Sequence, residues 1–504
     1  MSTQTEGDLQ RGLKVRHVNM IAIGGAIGTG LFLAVGGSLS QAGPGGALVA
    51  YGVIGIMVYF LMTSLGEMST YMPITGSFET YATKFVHPSI GFALGWNYWY
   101  NWTVTVAAEI AATPIMVFSL KSAVAPDAVW SAPMNSPVFW SLLGVVLLFL
   151  LNYFAVAIYG EAEFWFAGIK VVVIVVFLIL GVLMIFGIMK SDPTQYSSLM
   201  PFANWTKGAA PFPGGFMGII GIFMIAGFSF QGTELIGIAS GEVKDPQSAI
   251  PKAIRTVFFR IMLFYVGAII VIGFLLPYNN EHLLNGGDDV SSSPFTLVFQ
   301  NAGIALAAAV LTAVILTSIL SCGNSGMFAS TRMLYSMAME GKAPKVFKTV
   351  TKRGVPYIAL IATTLIAAGL FFLSFVGASK DGEGALYLLL VNNSGTAGFI
   401  AWLGIAVCHY KFRKAFLAQG HSLDELKYKA KLFPFGPIFA FVLCAIVLAG
   451  QIWGFDINIA NILSVYSVPL LFLVLFLCHK IAKKTHWLKP EEGDLSQGFA
   501  TEKE

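Results

Sequence analysis

The first residues that could do chemistry form a glycine-rich interruption within an apolar segment. The run from Met20 to Phe32 contains Gly24-Gly25-Ala26-Ile27-Gly28-Thr29-Gly30 at its centre. A helix inside a bilayer must satisfy its own backbone groups, so an unwound stretch is tolerated where it faces a cavity or a ligand. Close packing of small residues against another helix also explains a single interruption, and is the more common cause.

A second interruption favours the binding site over simple packing. The segment from Gly214 to Gly241 is also apolar and glycine-rich, and it carries Phe228-Ser229-Phe230-Gln231-Gly232-Thr233-Glu234 at its centre. Lipid disfavours a carboxylate, so Glu234 requires a partner, a proton or a cationic ligand. Two broken segments, one of them with an acid, predict a binding site for a small solute inside a membrane transporter.

The composition indicates an integral membrane protein. Hydrophobic residues make up 56% of the 504 residues and charged residues only 11%, whereas a soluble protein has about 25% charged residues. A membrane-spanning helix needs about 20 apolar residues, so we expect a lipid bilayer to surround this chain. Twelve segments meet that requirement: 17–38, 46–66, 91–119, 137–158, 164–189, 214–239, 256–277, 294–321, 356–376, 385–408, 434–453 and 461–480.

Lysine and arginine concentrate in alternate connecting segments, which predicts the orientation. Residues 1–16 are polar and lack the apolar region of a cleaved signal peptide, so we expect a cytoplasmic tail. Both termini are then cytoplasmic, and the chain lies in the cell inner membrane with its positive loops inside. The net charge of +4 reflects this topology, and no nucleic-acid partner is expected. The outer loops hold only Lys121, Lys190, Lys207 and Lys380.

The two interrupted segments occupy matching places in the order of spans. One begins the first five spans and the other begins the next five, and an odd number per half inverts the second half relative to the first. We therefore expect an all-α protein with a ten-helix core at 17–408, built from the inverted repeats 17–189 and 214–408. A cytoplasmic loop at 409–433, helices 11 and 12 at 434–480 and a tail at 481–504 complete the predicted organisation.

Several motifs resemble amino-acid permeases of the amino acid–polyamine–organocation superfamily. They occur in family order from about Gly12 to Lys484 and comprise Met20–Phe32, Gly66–Phe78, Gly95–Trp102, and Phe228–Leu235 followed by Gly241, Glu242 and Pro246. The segments Ser293–Gln300, Gly323–Tyr335 and Gly398–Gly404 most resemble bacterial lysine-specific permeases. The resemblance implies a LeuT-type fold with a 5+5 inverted repeat plus two C-terminal helices, and proton-driven symport of L-lysine.

The first interruption suits the backbone of an amino acid. A new half-helix beginning near Thr29 and Gly30 would leave amide donors and a positive dipole end for the α-carboxylate. Carbonyl groups freed around Gly25 and Ala26 would accept from the α-ammonium, with Gly28 between the two sites. Similar permeases use these positions in this way, and such backbone contacts do not select the side chain.

The second interruption offers side-chain candidates. Glu234 could be the countercharge of a lysine substrate, although relatives that carry neutral amino acids also have a glutamate here. Alternatively, Glu234 forms a hydrogen bond that holds its own segment in place. Phe228 resembles the family's aromatic lid over the substrate, with ordinary packing as the alternative, and Gln231 is a further candidate substrate ligand.

Lys170 in the fifth span is a candidate for proton coupling. Burial disfavours the charged form of lysine, so this side chain could gain and lose a proton. A lysine near the start of a helix also snorkels to the interface. Lys170 matches a lysine that takes the place of a sodium ion in similar proton-coupled permeases, with Ser318 and Ser321 as possible neighbours.

The third span carries aromatic and acidic candidates. Tyr98 and Trp102 are four residues apart and share a helix face, where they could line a pocket for an aliphatic chain with a cationic tip. An aromatic belt at the membrane interface gives the same composition. Glu109 lies deeper and could pair with the substrate or a lysine, or share proton coupling with Glu234.

Two peripheral features and three rival functions complete the sequence-based expectations. The loop Glu67–His87 matches a family loop near the inner gate, and Asp288 and Asp289 could attract a cation, although a solvated pair is the simpler interpretation. The seven histidines map to loops or span ends, which disfavours an intramembrane enzyme, and no metal or cofactor is expected. A channel and a substrate sensor remain alternatives, as does a permease for arginine, ornithine, or a neutral or aromatic amino acid.

Overall fold

The protein is helical wherever the structure describes it. The computed structural model describes residues 12–25, 27–125, 127–154, 156–189, 201–280, 283, 293–301, 305–377, 382–454, 459–496 and 498. These residues form helices and turns and contain no β-strand, apart from one isolated parallel bridge between Leu13 and Val243. Ala26, Asp288 and Asp289, which the sequence analysis singled out, lie outside the described residues.

Helices of membrane-spanning character dominate the described chain. Eight of them are long and apolar enough to cross a membrane, by length and composition, and three shorter apolar helices accompany them. The helices of the first half are α1 (Val15–Met20), α2 (Val35–Tyr71), α3 (Phe78–Phe85), α4 (Pro88–Val124), α5 (Pro137–Tyr153) and α6 (Val156–Ile185).

The second half repeats this helical character. Its helices are α7 (Gly215–Gly221), α8 (Phe223–Phe230), α9 (Leu235–Ala239), α10 (Pro246–Arg260), α11 (Ala268–Leu275), α12 (Pro294–Asn301), α13 (Ala305–Met339), α14 (Tyr357–Gly377), α15 (Gly382–Ala418), α16 (Phe435–Gly450) and α17 (Ile459–Lys483).

Proline begins several of these helices. Pro88, Pro137, Pro246 and Pro294 are the first residues of α4, α5, α10 and α12, where the missing amide hydrogen costs nothing and the fixed φ favours the helix. The side chain of Asp245 also accepts a hydrogen bond from the amide of Ser248 at 3.3 Å and so caps α10.

The predicted spans 17–38 and 46–66 are joined without a loop. Helix α2 runs from Val35, near the end of the first span, through the whole of the second, and within it only Gly43, with φ of 71°, departs from helical geometry. A Cβ atom at Gly43 would lie 2.3 Å from Cδ of Pro213, so glycine is required by both the conformation and the close approach. Pro44 follows directly and cannot donate a helical hydrogen bond, which explains why the break falls here.

Two helices extend beyond their predicted ends because their arginines are buried and paired. Helix α13 continues past 321 to Met339, and α15 continues past 408 to Ala418. Arg332 donates to Glu242 at 2.8 Å, and Arg413 donates to both oxygens of Glu67 at 2.6 and 2.5 Å. A hydropathy pattern predicts that each span ends before these charged residues. Charges that are paired can nevertheless remain inside a helical bundle.

The C-terminal segment packs across one end of the bundle, which we call the terminal face. The amide of Leu488 donates to the carbonyl of Val86 at 3.0 Å, and Gln419 Nε2 donates to the carbonyl of Gly493 at 2.7 Å. Lys84 on α3 pairs with Asp494 and lowers the pKa of that carboxyl to about 2. The segment therefore ties α3 to the end of α15.

A buried acid on α3 also contacts the turn after α13. Lys342 pairs with both Glu79 and Glu340, and Thr80 Oγ1 donates to Glu340 at 2.5 Å. Burial raises the pKa of Glu79 to about 7, against the attraction of Lys342 and with added repulsion from Glu340. Glu79 therefore retains its proton to a much higher pH in the folded protein than in the unfolded chain.

We expect the Glu79→Gln variant to lose part of the pH dependence of stability. Between pH 4.5 and 7 the unfolded chain ionises Glu79 while the folded protein keeps it protonated, so the free energy of unfolding falls as the pH rises. Glutamine does not titrate and should flatten this fall by about 1–3 kcal/mol. Thermal unfolding in detergent at stepped pH measures the effect. The control Glu340→Gln should retain most of the slope, and an unchanged slope in Glu79→Gln would contradict the assignment.

Candidate functional site

The first predicted interruption is confirmed. A π-helical turn at Ile21–Gly25 follows α1, and helical structure resumes with a second π-helical turn at Gly30–Ala34 that leads into α2. Ile27 and Gly28 between them are not helical, and Thr29 caps the second half. The first amide groups of that half lack partners within the helix and are available to a ligand.

The second predicted interruption is confirmed as well. Helix α8 ends at Phe230, and α9 begins only at Leu235. Gln231 has extended backbone geometry, with ψ of 153°, and Gly232 has a φ of 84°. The left-handed conformation favours glycine, which explains why the chain turns at this residue.

The two interruptions contact each other directly. Ser229 Oγ donates to the carbonyl of Gly30 at 2.8 Å. A Cβ atom at Gly30 would lie 2.7 Å from Cα of Ser229, and one at Gly28 would lie 2.6 Å from Oε1 of Glu109 and 2.8 Å from Cβ of Cys322. Both glycines are therefore needed for this close approach.

A small cavity lies where the interruptions meet. Its volume is about 10 Å³, which is room for about one water molecule. Six of the predicted residues line it: Gly28, Gly30, Trp102, Glu109, Phe228 and Gln231. Thr105 and Cys322 also line it and were not predicted. The sequence could have indicated Thr105, because this residue lies three positions after Trp102 and four before Glu109 and therefore shares their helix face.

Gln231 belongs to a polar network beside the cavity. Its Nε2 donates to the carbonyl of Ser394 at 2.7 Å, and Ser394 Oγ lies 3.0 Å from Gln231 Oε1. Ser394 also contacts Asn101 at 2.9 Å and Thr105 at 2.7 Å. The network joins α4, the end of α8 and α15. In the sequence, it is signalled only by polar residues within apolar helices.

Glu234 lies beside the cavity rather than in its lining. Its carboxylate accepts from the amide of Gly232 at 3.0 Å, from the Tyr98 hydroxyl at 3.2 Å and from Trp402 Nε1 at 3.2 Å. Tyr98 also lies outside the lining, with its ring 4.8 Å from Phe78. These bonds correspond to the alternative interpretation of Glu234, in which it holds the second interruption against α4 and α15.

Glu109 is the carboxylate that faces the cavity. Its Oε1 accepts from Thr29 Oγ1 at 3.2 Å, and its side chain is buried. Its Oε2 has no hydrogen-bond partner among the described residues. A buried oxygen of this kind is costly unless a donor reaches it, so the geometry suits a positively charged or hydrogen-bonding ligand.

Lys170 is buried inside the bundle, as the coupling hypothesis requires, and does not snorkel to the interface as the alternative interpretation held. Its exposed fraction is 0%, and its Nζ donates to Ser321 Oγ at 2.8 Å. Ser321 in turn donates to Glu163 at 2.5 Å. The predicted neighbour Ser321 is confirmed, whereas Ser318 donates to the carbonyl of Val314 at 2.8 Å. Glu163 was missed, although it lies seven residues before Lys170 and therefore on the same helix face.

Arg260 contacts the first interrupted segment from α10. Its Nη1 donates to the carbonyl of Ala22 at 3.1 Å and its Nη2 to the Tyr265 hydroxyl at 3.1 Å, while Tyr265 donates to the carbonyl of Ser229 at 2.6 Å. In the folded protein Arg260 links the segment before the first interruption to the second.

The sequence of this chain is similar to a known family of proteins. Residues 17–491 match the family model described as amino acid permease. The chain is 52% identical over 497 residues to the lysine-specific permease LysP of Escherichia coli, which covers 97% of both chains. It is 45% identical to the lysine-specific permease LysP of Lactococcus lactis, over 98% of this chain and 94% of the relative.

A relative with a different named substrate matches almost as well. The histidine permease HisP of Lactococcus lactis is 44% identical over 502 residues, which covers 98% of this chain and 99% of the relative. The match to the family model and all three full-length similarities point to the same family. The chain belongs to the amino acid permease family.

Proposed function

We propose that the protein is a proton-coupled symporter that imports L-lysine across the cell inner membrane. The observation that carries this proposal is the Glu109 carboxylate at the cavity between the two interruptions, with one oxygen lacking a hydrogen-bond partner in the described chain. Two of the three relatives above are named lysine-specific permeases, which favours a cationic amino acid. The proposal assigns transport rather than catalysis to the site.

The transporter would have twelve spans in a LeuT-type arrangement. Its ten-helix core at 17–408 would consist of two inverted repeats, each starting with an interrupted helix, and alternating access would move one repeat against the other. Both termini would be cytoplasmic. An even number of spans would place the two termini on the same side of the membrane.

The substrate would use backbone groups of the first interruption together with the Glu109 carboxylate, which accepts a hydrogen bond from Thr29 beside them. Amides after Thr29 would bind the α-carboxylate, and carbonyls near Gly25 would accept from the α-ammonium. The side chain would then extend past Trp102 toward Glu109. A cavity of about 10 Å³ must widen for this, and movement of Phe228, one of its walls, would provide the space and act as a lid.

Lys170 would couple the proton to transport. It reaches Glu163 through Ser321 and so bridges α6 and α13. Loss of its charge would weaken this bridge and let the first interrupted segment move relative to α6. Glu109 and Glu234 are the alternative proton carriers.

Lysine should dominate uptake by the purified protein. We expect labelled L-lysine to accumulate in proteoliposomes only with an inwardly directed proton gradient, and unlabelled lysine to compete better than arginine, ornithine, histidine or neutral amino acids. The physical reason is that the Glu109 carboxylate offsets the cost of desolvating the ammonium group of lysine. A neutral side chain would leave that carboxylate without a partner. A protonophore serves as the control for coupling.

Three outcomes would contradict this assignment. Neutral amino acids that compete as well as lysine would show that Glu109 does not select charge. If histidine competes more strongly than lysine, the substrate would be histidine, which is the substrate in the name of the third relative. Binding of lysine without any uptake would indicate a sensor.

Gly30→Val should abolish substrate binding without preventing insertion into the membrane. The new Cβ would lie 2.7 Å from Cα of Ser229, so it must push the two interruptions apart and displace the amides that hold the carboxylate. We expect lysine affinity to fall at least about tenfold, or about 1.4 kcal/mol. Gly37→Val is the matched control, because a Cβ there meets nothing within 4 Å. Normal affinity in Gly30→Val would mean that the interruption serves packing alone.

Lys170→Ala should lose concentrative, pH-dependent uptake but keep measurable lysine binding. The charge that responds to protons is removed, whereas the proposed contacts with the carboxylate and the α-ammonium are not. Binding and gradient-driven uptake should be measured on the same preparation. Lys170→Met, which restores apolar volume without charge, should behave like the alanine variant. Full concentrative uptake in Lys170→Ala would move the coupling role to Glu234 or Glu109.

A further inference from the structure

A second and larger cavity lies away from the amino-acid site, between α4, α15, α16 and α17. Its volume is about 260 Å³. An apolar cavity of about 150 Å³ already holds a molecule of benzene, so this one accepts a sizeable hydrocarbon. Six of its apolar lining residues are Ile90, Leu94, Leu403, Val407, Leu448 and Phe472.

The lining residues give this cavity the form of a groove along the helices. Ile90 and Leu94 are four residues apart on one face at the start of α4, and Val86 lines the same side just before that helix begins. Leu403 and Val407 repeat this spacing on α15. A narrow groove parallel to the helices suits an extended hydrocarbon chain better than a compact solute.

Exposed apolar side chains lie next to the groove. Pro469 and Phe472 line it from α17, and their neighbours Leu470 and Leu473 are exposed on the same helix. Helix α17 packs mainly on α4, whereas α16 packs on α15 and α2. The groove therefore lies between two helices that pack on different partners, beside an exposed apolar surface of the kind that lipid covers.

The end of the groove at the terminal face is basic. Phe472, Phe476 and Lys480 are spaced by four on α17, and Lys480 Nζ lies 5.7 Å from the ring centre of Phe476. Phe476 in turn lies 5.3 Å from the ring of His87, the residue after the groove-lining Val86. Lys483 is exposed one turn further along.

The nearby acids do not neutralise these two lysines. Asp494 pairs with Lys84, and Glu492 lies 3.7 Å from His486. Within the part of the chain that the structure describes, no carboxylate forms a salt bridge with Lys480 or Lys483. Two cationic groups therefore stand at the end of an apolar groove, which is the arrangement that binds the head group and tail of one anionic lipid.

We propose that this groove binds one acyl chain of an anionic phospholipid whose phosphate contacts Lys480 and Lys483. The hydrocarbon fills apolar space that water would enter only at a cost, and the phosphate satisfies both ammonium groups. The bound lipid joins α17 to α4 and α15. This site is separate from the proposed amino-acid site and does not depend on its substrate.

The binding of defined lipids to the delipidated full-length protein tests the proposal. Native mass spectrometry should show one retained phosphatidylglycerol, with phosphatidylethanolamine bound at least about fivefold more weakly because it lacks net charge. Glycerol phosphate is the probe for the head group alone. We expect it not to displace phosphatidylglycerol, because it cannot fill the groove.

Matched variants separate the groove from the basic end. Val407→Trp fills the groove and should reduce retention of phosphatidylglycerol at least about fivefold, whereas Leu473→Trp on the exposed side of α17 should not. Lys480→Gln with Lys483→Gln should abolish the preference for phosphatidylglycerol, whereas the exposed pair Lys252→Gln with Lys345→Gln should preserve it.

The opposite results would overturn the proposal. Unchanged retention in Val407→Trp would show that no chain enters the groove, and Leu448→Trp, from a different helix, repeats that test if the first variant fails to fold. Equal binding of both lipids to the unmodified protein would remove the role of the lysines. Displacement by glycerol phosphate would show binding of a head group alone.

Discussion

The contact between Gly30 and Ser229 is the constraint on which the rest of the site depends. Two unwound segments lie within an apolar bundle, where each unsatisfied backbone group is costly. Ser229 supplies a donor to the carbonyl of Gly30, and Tyr265 supplies one to the carbonyl of Ser229. Because Gly30 lacks a Cβ, the segments approach closely enough for these bonds to form. The position of the cavity walls, including Phe228 and Glu109, follows from that approach.

Buried charged residues link the surrounding helices and fix their positions relative to one another. Lys170 reaches Glu163 through Ser321, Arg332 pairs with Glu242, and Arg413 pairs with Glu67. Each link joins segments that are far apart in sequence, and breaking one by removing a partner leaves a costly unpaired charge.

The site was predictable to the extent that its signal was local. Glycines inside apolar segments predicted both interruptions, the four-residue spacing of Tyr98 and Trp102 led to Trp102, and the presence of an acid deeper in the same span led to Glu109. The structural role of Glu234 was one of two open alternatives, but its partners were not predictable, because a carboxylate in an apolar segment signals a partner without naming it. In the structure the partners of Glu234 are Gly232, Tyr98 and Trp402.

The sequence by itself determined the membrane character of the chain, the places where helices must break, and the family to which it belongs. These properties depend on composition, on backbone freedom at glycine and on contiguous motifs. Only the tertiary structure decided that Lys170 is buried, that Arg332 and Arg413 lie inside helices, and that Glu109 rather than Glu234 faces the cavity. The physical reason is that a charge in an apolar helix is tolerated through partners from distant segments, and only the folded chain brings those partners together.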